Sequence, residues 1–312
     1  MSDGAKPAPA RPPAASPAAP RAAPRAATAP ASWGGALLAQ KDLRMKLCRY
    51  GPMVYSANDL FVGKSFDLYG EYAEGEIGVI RRFLGPGDVA VDAGANIGAH
   101  TVAMAQMVGP GGEVHAAEPL KRNFLILCAN VCLNGLDNVC VHQAAFAAGP
   151  GSLRLEAVDW SKPGNFGGVS LKGLSDTKIG RTAREEKVAC IALDALGLDR
   201  CRLVKIDVEG MELDVLQGAA ATIRRLKPVL YLENDRRKNS PALLAHLLGL
   251  GYRCWWHMAP LFNAANFFAN PVNAFLTAQK GQIRARNVLA LPPGEKLPYK
   301  AASEIKSPED WL

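Results

Sequence analysis

The sequence predicts an α/β fold: a doubly wound, mostly parallel sheet with helices on both faces. Three observations carry this. Short apolar runs alternate with helix-period segments from Asp88 onward. A glycine-rich turn joins the first run to the first helix, and most of the runs end in a polar residue.

The first strand is expected over Asp88–Gly94, where Val89 and Val91 supply β-branched side chains. It passes Asp92, turns through Gly94, Asn96 and Gly98, and enters a helix over Ile97–Val108. The run Gly109-Pro110-Gly111-Gly112 stops that helix. A second strand follows over Glu113–Glu118. Leu120, Phe124, Leu127 and Val131 then mark one face of a helix over Leu120–Asn134, closed by Gly135. Val139–Phe146 reads as a third strand.

Residues 149–187 break the alternation with Gly, Ser and Lys, and read as an insertion or hairpin loop over one end of the sheet. Order returns with the strand Leu203–Val208, a helix through Leu216, Ala219, Ile223 and Leu226, and the strand Val229–Glu233. Ser240 is expected as N-cap and Pro241 as first-turn residue of another helix, which Gly251 ends. Tyr252–His257 and Val288–Leu291 complete the strands, one of them antiparallel. The expected organisation is a tail over residues 1–32, an N-terminal cap over 33–87, a core over 88–292 and a C-terminal tail over 293–312.

Composition limits the function classes. Half the chain is apolar, 49%, ample for a packed core. The first 32 residues are Ala, Pro and scattered Arg, the composition of a disordered or polyproline-like tail. Lys6, Arg11, Arg21 and Arg25 against Asp3 give that tail +3 of the net +7, leaving +4 over 280 residues. This is a mildly basic enzyme surface and not a nucleic-acid stripe. No apolar run has signal-peptide or membrane-spanning character, and seven cysteines in mostly apolar surroundings read as reduced thiols of a cytoplasmic protein.

The turn after the first strand is a cofactor cradle. Glycines let the backbone approach a ligand, and the helix behind points unpaired N–H groups at it. A dinucleotide fingerprint needs G-x-G-x-x-G, whereas here Gly94 and Gly98 are separated by three residues and Asp92 precedes them. An acidic residue in the turn suits a cofactor with a positive amino-acid end. Glu118, one strand–helix–strand unit later, is placed to take a ribose diol.

The D-x-G-x-N-x-G turn with that later carboxylate resembles the S-adenosylmethionine site of class I methyltransferases. Ala116-Ala117-Glu118-Pro119, Lys205-Ile206-Asp207-Val208-Glu209-Gly210-Met211-Glu212 and Pro228-Val229-Leu230-Tyr231-Leu232-Glu233 narrow the resemblance to the FkbM family of O-methyltransferases, over roughly Tyr69 to Pro292. The resemblance implies a seven-stranded Rossmann-like sheet and S-adenosyl-L-methionine as cofactor. Asp92, Gly94, Asn96 and Gly98 would shape the loop that orients its methionine moiety, Glu118 would hold the ribose and Ala145 would belong to the adenine wall. Glu74, ahead of the core, would help hold the amino-acid end.

A hydroxyl acceptor needs its proton removed. Asp207 and Glu209 stand beside the methyl donor by topology and are the expected catalytic pair, with His257 as alternative base; a structural polar network of Asp207 with Lys205 is the competing reading. Asp207, Glu233 and Asn234 also resemble the magnesium ligands of catechol-type O-methyltransferases. Trp255, Trp256 and the Asn-rich stretch to Pro271 suit a sugar or other polyol-like acceptor, which Asn165 and Gly167-Gly168 would close over. The expected reaction is O-methylation of a sugar, glycan or polyketide-type acceptor. The rivals are a methyltransferase directed at another atom and a cofactor-binding scaffold without turnover. Nucleic-acid N-methylation usually carries an Asn/Asp-Pro-Pro-aromatic loop, which Asp207-Val208-Glu209-Gly210 is not.

Overall fold

The structure, a computed structural model, describes residues 42–170, 181–277, 281–299 and 303–312. The Ala/Pro/Arg stretch of residues 1–32 lies outside the described residues, as do 33–41.

The chain opens with a hairpin, β1 (Leu43–Cys48) and β2 (Gly51–Ser56), then α1 (Val62–Tyr69) and α2 (Glu74–Ile80). The central units are β3 (Val89–Ala93), α3 (Ala99–Val108), β4 (Glu113–Ala117), α4 (Lys121–Leu133) and β5 (Val139–His142). A smaller sheet follows from β6 (Ala145–Phe146), β7 (Gly151–Val158) and β8 (Arg181–Ile191). The second half holds β9 (Leu203–Ile206), α5 (Glu212–Gly218), α6 (Ala220–Leu226), β10 (Val229–Glu233), α7 (Ser240–Gly249) and β11 (Arg253–Pro260). Two short strands, β12 (Leu276–Thr277) and β13 (Gly281–Gln282), precede β14 (Arg284–Leu291) and β15 (Glu304–Ile305).

The main sheet runs β15-β11-β14-β10-β9-β3-β4-β5. The five strands from β5 to β10 are parallel, and β14 is antiparallel to both β10 and β11. All seven expected strands are present, and the two-residue β15 adds an eighth at the edge beside β11. Side-chain alternation divides the core. Val91, Val204, Ile206, Leu230 and Leu232 pack against α5, α6 and α7 through Val215, Leu216, Ile223 and Leu244. On the opposite face Ala90, Val114, Leu203 and Val229 meet Ile80 of α2 and Met104 and Val108 of α3.

Three expected elements differ. Val139–Phe146 is not one strand: β5 stops at His142, whose carbonyl accepts from Glu118 N at 3.0 Å, and Ala145-Phe146 pair with β8 instead. The helix through Leu216 and Leu226 divides at Ala219, whose φ of −108 and ψ of 10 leave the helical region; beside it Gly218 lies so close to the Ala147 carbonyl that a Cβ would sit 1.9 Å from its oxygen. Ser240 is the first helical residue, with Asn239 ahead of it. Its hydroxyl is spent on Asn234 Nδ2 at 2.9 Å.

Candidate active site

A cleft opens beyond the carboxyl ends of β3, β4, β9 and β10, where doubly wound sheets hold their ligands. It encloses about 1240 Å³ of empty space, the open solvent at its mouth included.

Its floor is the turn after β3. Gly94 has φ +83, and a Cβ there would lie 1.7 Å from the carbonyl oxygen of Asp207, so only glycine lets the turn rest on β9. Asn96 is also left-handed, φ 50, and its buried Oδ1 has no partner. Gly98 precedes α3 at φ +90 and faces Leu127 rather than the cleft. Asp92 lies under the turn, fully buried. It accepts from Thr101 Oγ1 at 2.7 Å and pairs with Lys205 Nζ at 3.2 Å. Burial disfavours the Lys205 charge, but Asp92, Asp207 and Glu76 outweigh it and lift its pKa above the ordinary value.

Glu118 forms the side wall. Oε2 accepts from Asn96 N and Oε1 from Leu120 N, both at 2.9 Å. Burial pushes its pKa up to about 7, with the Asp92 charge adding and the two backbone donors opposing. The carboxylate is thereby fixed in position with lone pairs left over. Leu120, Ala144, Ala145, Phe146, Phe166 and Val169 make the adjoining wall apolar.

The far end is acidic. Oxygen atoms of Asp207, Glu209 and Glu233 lie within 4.8 Å of one another. Burial, then Asp207 and Asp235, pushes Glu209 up to about 8, although Arg236 Nη2 stands 2.5 Å from its Oε2. Glu233 is raised well above the usual range by burial and by Asp207 and Glu209, and its Oε2 is buried without a partner. Asp207 faces Lys205 at 3.5 Å. Such carboxyls repel one another and share protons or a cation.

Of the residues expected from sequence, Gly94, Asn96, Glu118, Ala145, Asp207, Glu209 and Glu233 line the cleft, with Asp92 and Gly98 supporting it from behind. Three are directed elsewhere. Glu74 accepts from Tyr50 OH at 2.7 Å, lies 3.7 Å from Arg49 and Arg81, and borders a separate shallow depression. His257 does not line the cleft: its Nδ1 is 2.7 Å from Tyr231 OH. Asn234 does not line the cleft, and its Nδ2 donates to Ser240 Oγ at 2.9 Å; Glu209, which the expected magnesium set did not include, stands with Asp207 and Glu233.

The two tryptophans are core residues on opposite faces of β11, and Asn263, Asn266 and Asn270 are occupied by Glu71 and their own loop. Asn165, Gly167 and Gly168 do line the cleft.

Three lining or adjacent residues escaped sequence reasoning: Tyr72, Glu76 and His100. Glu76 stands four residues before Ile80 on the buried stripe of α2, a periodicity that separates it from Glu74. His100, two residues past Gly98, enters the cleft at the start of α3.

The model of the methyltransferase FkbM domain matches residues 92–254, more than half of the chain. The chain belongs to the FkbM methyltransferase family. The match begins at Asp92 in the cradle and ends on β11, so it contains the glycine turn, Glu118 and the acidic group. Within the family's reach, "Methyltransferase 1" of Beauveria bassiana is 32% identical over 143 residues, 41% of this chain and 57% of that protein. The chain thus spans little more than half the length of this curated relative. Among solved structures, an FkbM methyltransferase from Methylobacillus flagellatus aligns with TM-score 0.41 and 16% identity, over 65% of this chain and 43% of that one. An S-adenosylmethionine-dependent O-methyltransferase from Thermotoga maritima aligns with TM-score 0.38 and 14% identity, over 72% and 66%. A methylase from Clostridium thermocellum described as acting on rRNA aligns with TM-score 0.41 and 13% identity, over 72% and 98%. Among the described residues no helix is long and apolar enough to cross a membrane.

Proposed function

We propose that this chain is an S-adenosylmethionine-dependent O-methyltransferase acting on a hydroxyl of a sugar, glycan or polyketide-type acceptor. The observation that carries the reading is Glu118. Its two oxygens accept from the backbone N–H groups of Asn96 in the glycine turn and of Leu120 after β4, beside an apolar wall, with an acidic group at the far end. When bound, the cofactor supplies an electrophilic methyl group.

The chain's own residues do the rest. Glu118 holds the ribose, Ala145 and Phe146 bound the adenine, and the turn over Asp92 and Lys205 fixes the amino-acid end. Asp207 and Glu209 receive the acceptor's hydroxyl groups, so that alignment supplies most of the rate. Carboxylates lining this end favour a neutral or hydrogen-bond-donating acceptor over a phosphate backbone, which supports a small-molecule or glycan substrate. Asp207, Glu209 and Glu233 are also hard oxygen donors of the type magnesium takes.

The test is calorimetric titration of the full chain with S-adenosylhomocysteine, with and without magnesium, beside an Asp92→Ala variant. Micromolar binding that weakens in the variant is the expected result. No binding under either condition would sink the reading.

A further inference from the structure

We propose that His100, seated against Glu76, takes the proton of the acceptor hydroxyl; this rests on the methyltransferase reading of the cleft. His100 is the second residue of α3, is 5% exposed and belongs to the cleft lining. Its Nε2 stands 3.3 Å from Oε2 of Glu76, which is itself 5% exposed. A buried imidazole facing a ligand cleft and backed by a buried carboxylate is the arrangement that general bases need.

The electrostatics agree with this geometry. Burial raises the Glu76 pKa, but His100, Lys205 and Asn287 outweigh it and draw the group below its ordinary value, so it is a carboxylate at neutral pH. A carboxylate beside Nε2 holds the ring proton there and leaves the lone pair on Nδ1. The Nε2–Oε2 approach is an ion-pair distance without hydrogen-bond alignment.

The groups that interact with Glu76 besides His100 are Tyr72 ahead of α2, Lys205 on β9, Tyr231 on β10, His257 on β11 and Asn287 on β14. The Tyr72 ring lies edge-on to His100 with centroids 6.2 Å apart. Burial and the charges of Glu76, Asp207 and Glu233 raise its phenol pKa, so Tyr72 stands in the field of both the dyad and the acidic group. An acceptor bound between them reaches both.

The carboxyls are less suited to the step. Glu209 is tied to Arg236 and its pKa is pushed up to about 8, that of Glu233 is raised by burial and by Asp207, and Asp207 faces Lys205. In the step proposed, the hydroxyl proton passes to Nδ1 and the electron pair stays on the acceptor oxygen. Glu76 pairs the resulting imidazolium, which later releases the proton to water. Glu76 is a positioning residue.

The test uses the full chain and two readouts. Nitrogen-15 spectra of the S-adenosylhomocysteine complex resolve the histidine rings, five in number, and His100→Gln assigns the one in question. The expected state at pH 7.5 is a neutral ring with its proton on Nε2, and Glu76→Gln shifts that tautomer. With S-adenosylmethionine and catechol or methyl β-D-glucopyranoside as probe acceptors, His100→Gln is expected to lower kcat roughly 10²- to 10⁴-fold and to abolish the acid limb of the rate profile. Its S-adenosylhomocysteine affinity should stay within about twofold of the parent, the range of an undisturbed site.

A ring charged throughout, a proton on Nδ1, or an unchanged kcat and acid limb overturns the proposal. If neither probe is methylated, the tautomer and its response to Glu76→Gln decide alone. Absence of S-adenosylhomocysteine binding in the parent chain overturns the methyltransferase reading instead, and so is a distinguishable failure.

Discussion

The two ends of the cleft are built on opposite electrostatic terms. At the β3–β4 end each charge has a partner supplied by the fold: Asp92 meets Thr101 and Lys205, and Glu118 meets two backbone N–H groups. At the β9–β10 end carboxyls face carboxyls, and Arg236 stands 2.5 Å from Glu209 and 3.8 Å from Asp235. One end is finished before any ligand arrives. The other stores repulsion that protons, a cation or an acceptor's hydroxyl groups relieve. The comparison teaches that rigidity and reactivity are assigned to different strands of one sheet.

The largest effect is expected from Asp92→Ala. It removes the nearer carboxylate partner of Lys205, 2% exposed, and leaves Asp207 at 3.5 Å, at a cost of about 3–5 kcal/mol in urea denaturation. A loss under about 1 kcal/mol would mean that Asp207 and Glu76 compensate alone, and that the finished end is not as rigid as described.

Glu118→Gln comes next. It keeps the shape but replaces one backbone acceptor by an amide, and is expected to weaken S-adenosylhomocysteine roughly tenfold, about 1.4 kcal/mol, in calorimetry. Unchanged affinity would remove Glu118 from the ribose.

The acidic end sharpens the comparison through pH. Glu118 at about 7 and Glu209 at about 8 stand above their ordinary value of 4.5, and Glu233 is raised as well. Their protonated forms contribute stability fully present below 4.5, which is lost as pH rises through 7 and 8. The urea midpoint is therefore expected to fall between pH 6 and pH 8.5. Glu233→Gln should flatten that fall, because one buried repelling charge is gone. A midpoint that rises over the same interval would contradict the stored repulsion.

The smallest effect is expected at His257. His257→Gln removes a side chain bonded to Tyr231 outside the cleft, so S-adenosylhomocysteine affinity should be unchanged while thermal stability drops slightly. A large loss of affinity would show that β11 reaches the cofactor end after all.

Legibility in the sequence follows the same division. The glycine turn is a local device: Gly94, Asn96 and Gly98 adopt left-handed backbone that few residues tolerate, so residue type and spacing announce it. Glu118 is legible because one strand–helix–strand unit fixes its distance from Asp92. The need for glycine at 218 was hidden, since it answers to an Ala147 carbonyl some seventy residues away. Glu74 and Glu76 are alike in type and two residues apart, and only the packing of Ile77 and Ile80 turns the second inward.

What the sequence alone determined is the alternation of strands and helices, the cradle after β3 and the acidic termini of β9 and β10. All are set by local period, backbone propensity and the rule that sheet ends hold ligands. What only the tertiary structure decided is which side chains meet: Glu76 with His100, Glu209 beside Asp207 and Glu233, and His257 against Tyr231. Side-chain direction depends on neighbours brought from distant strands, and the order of residues along the chain does not contain those contacts in any local form.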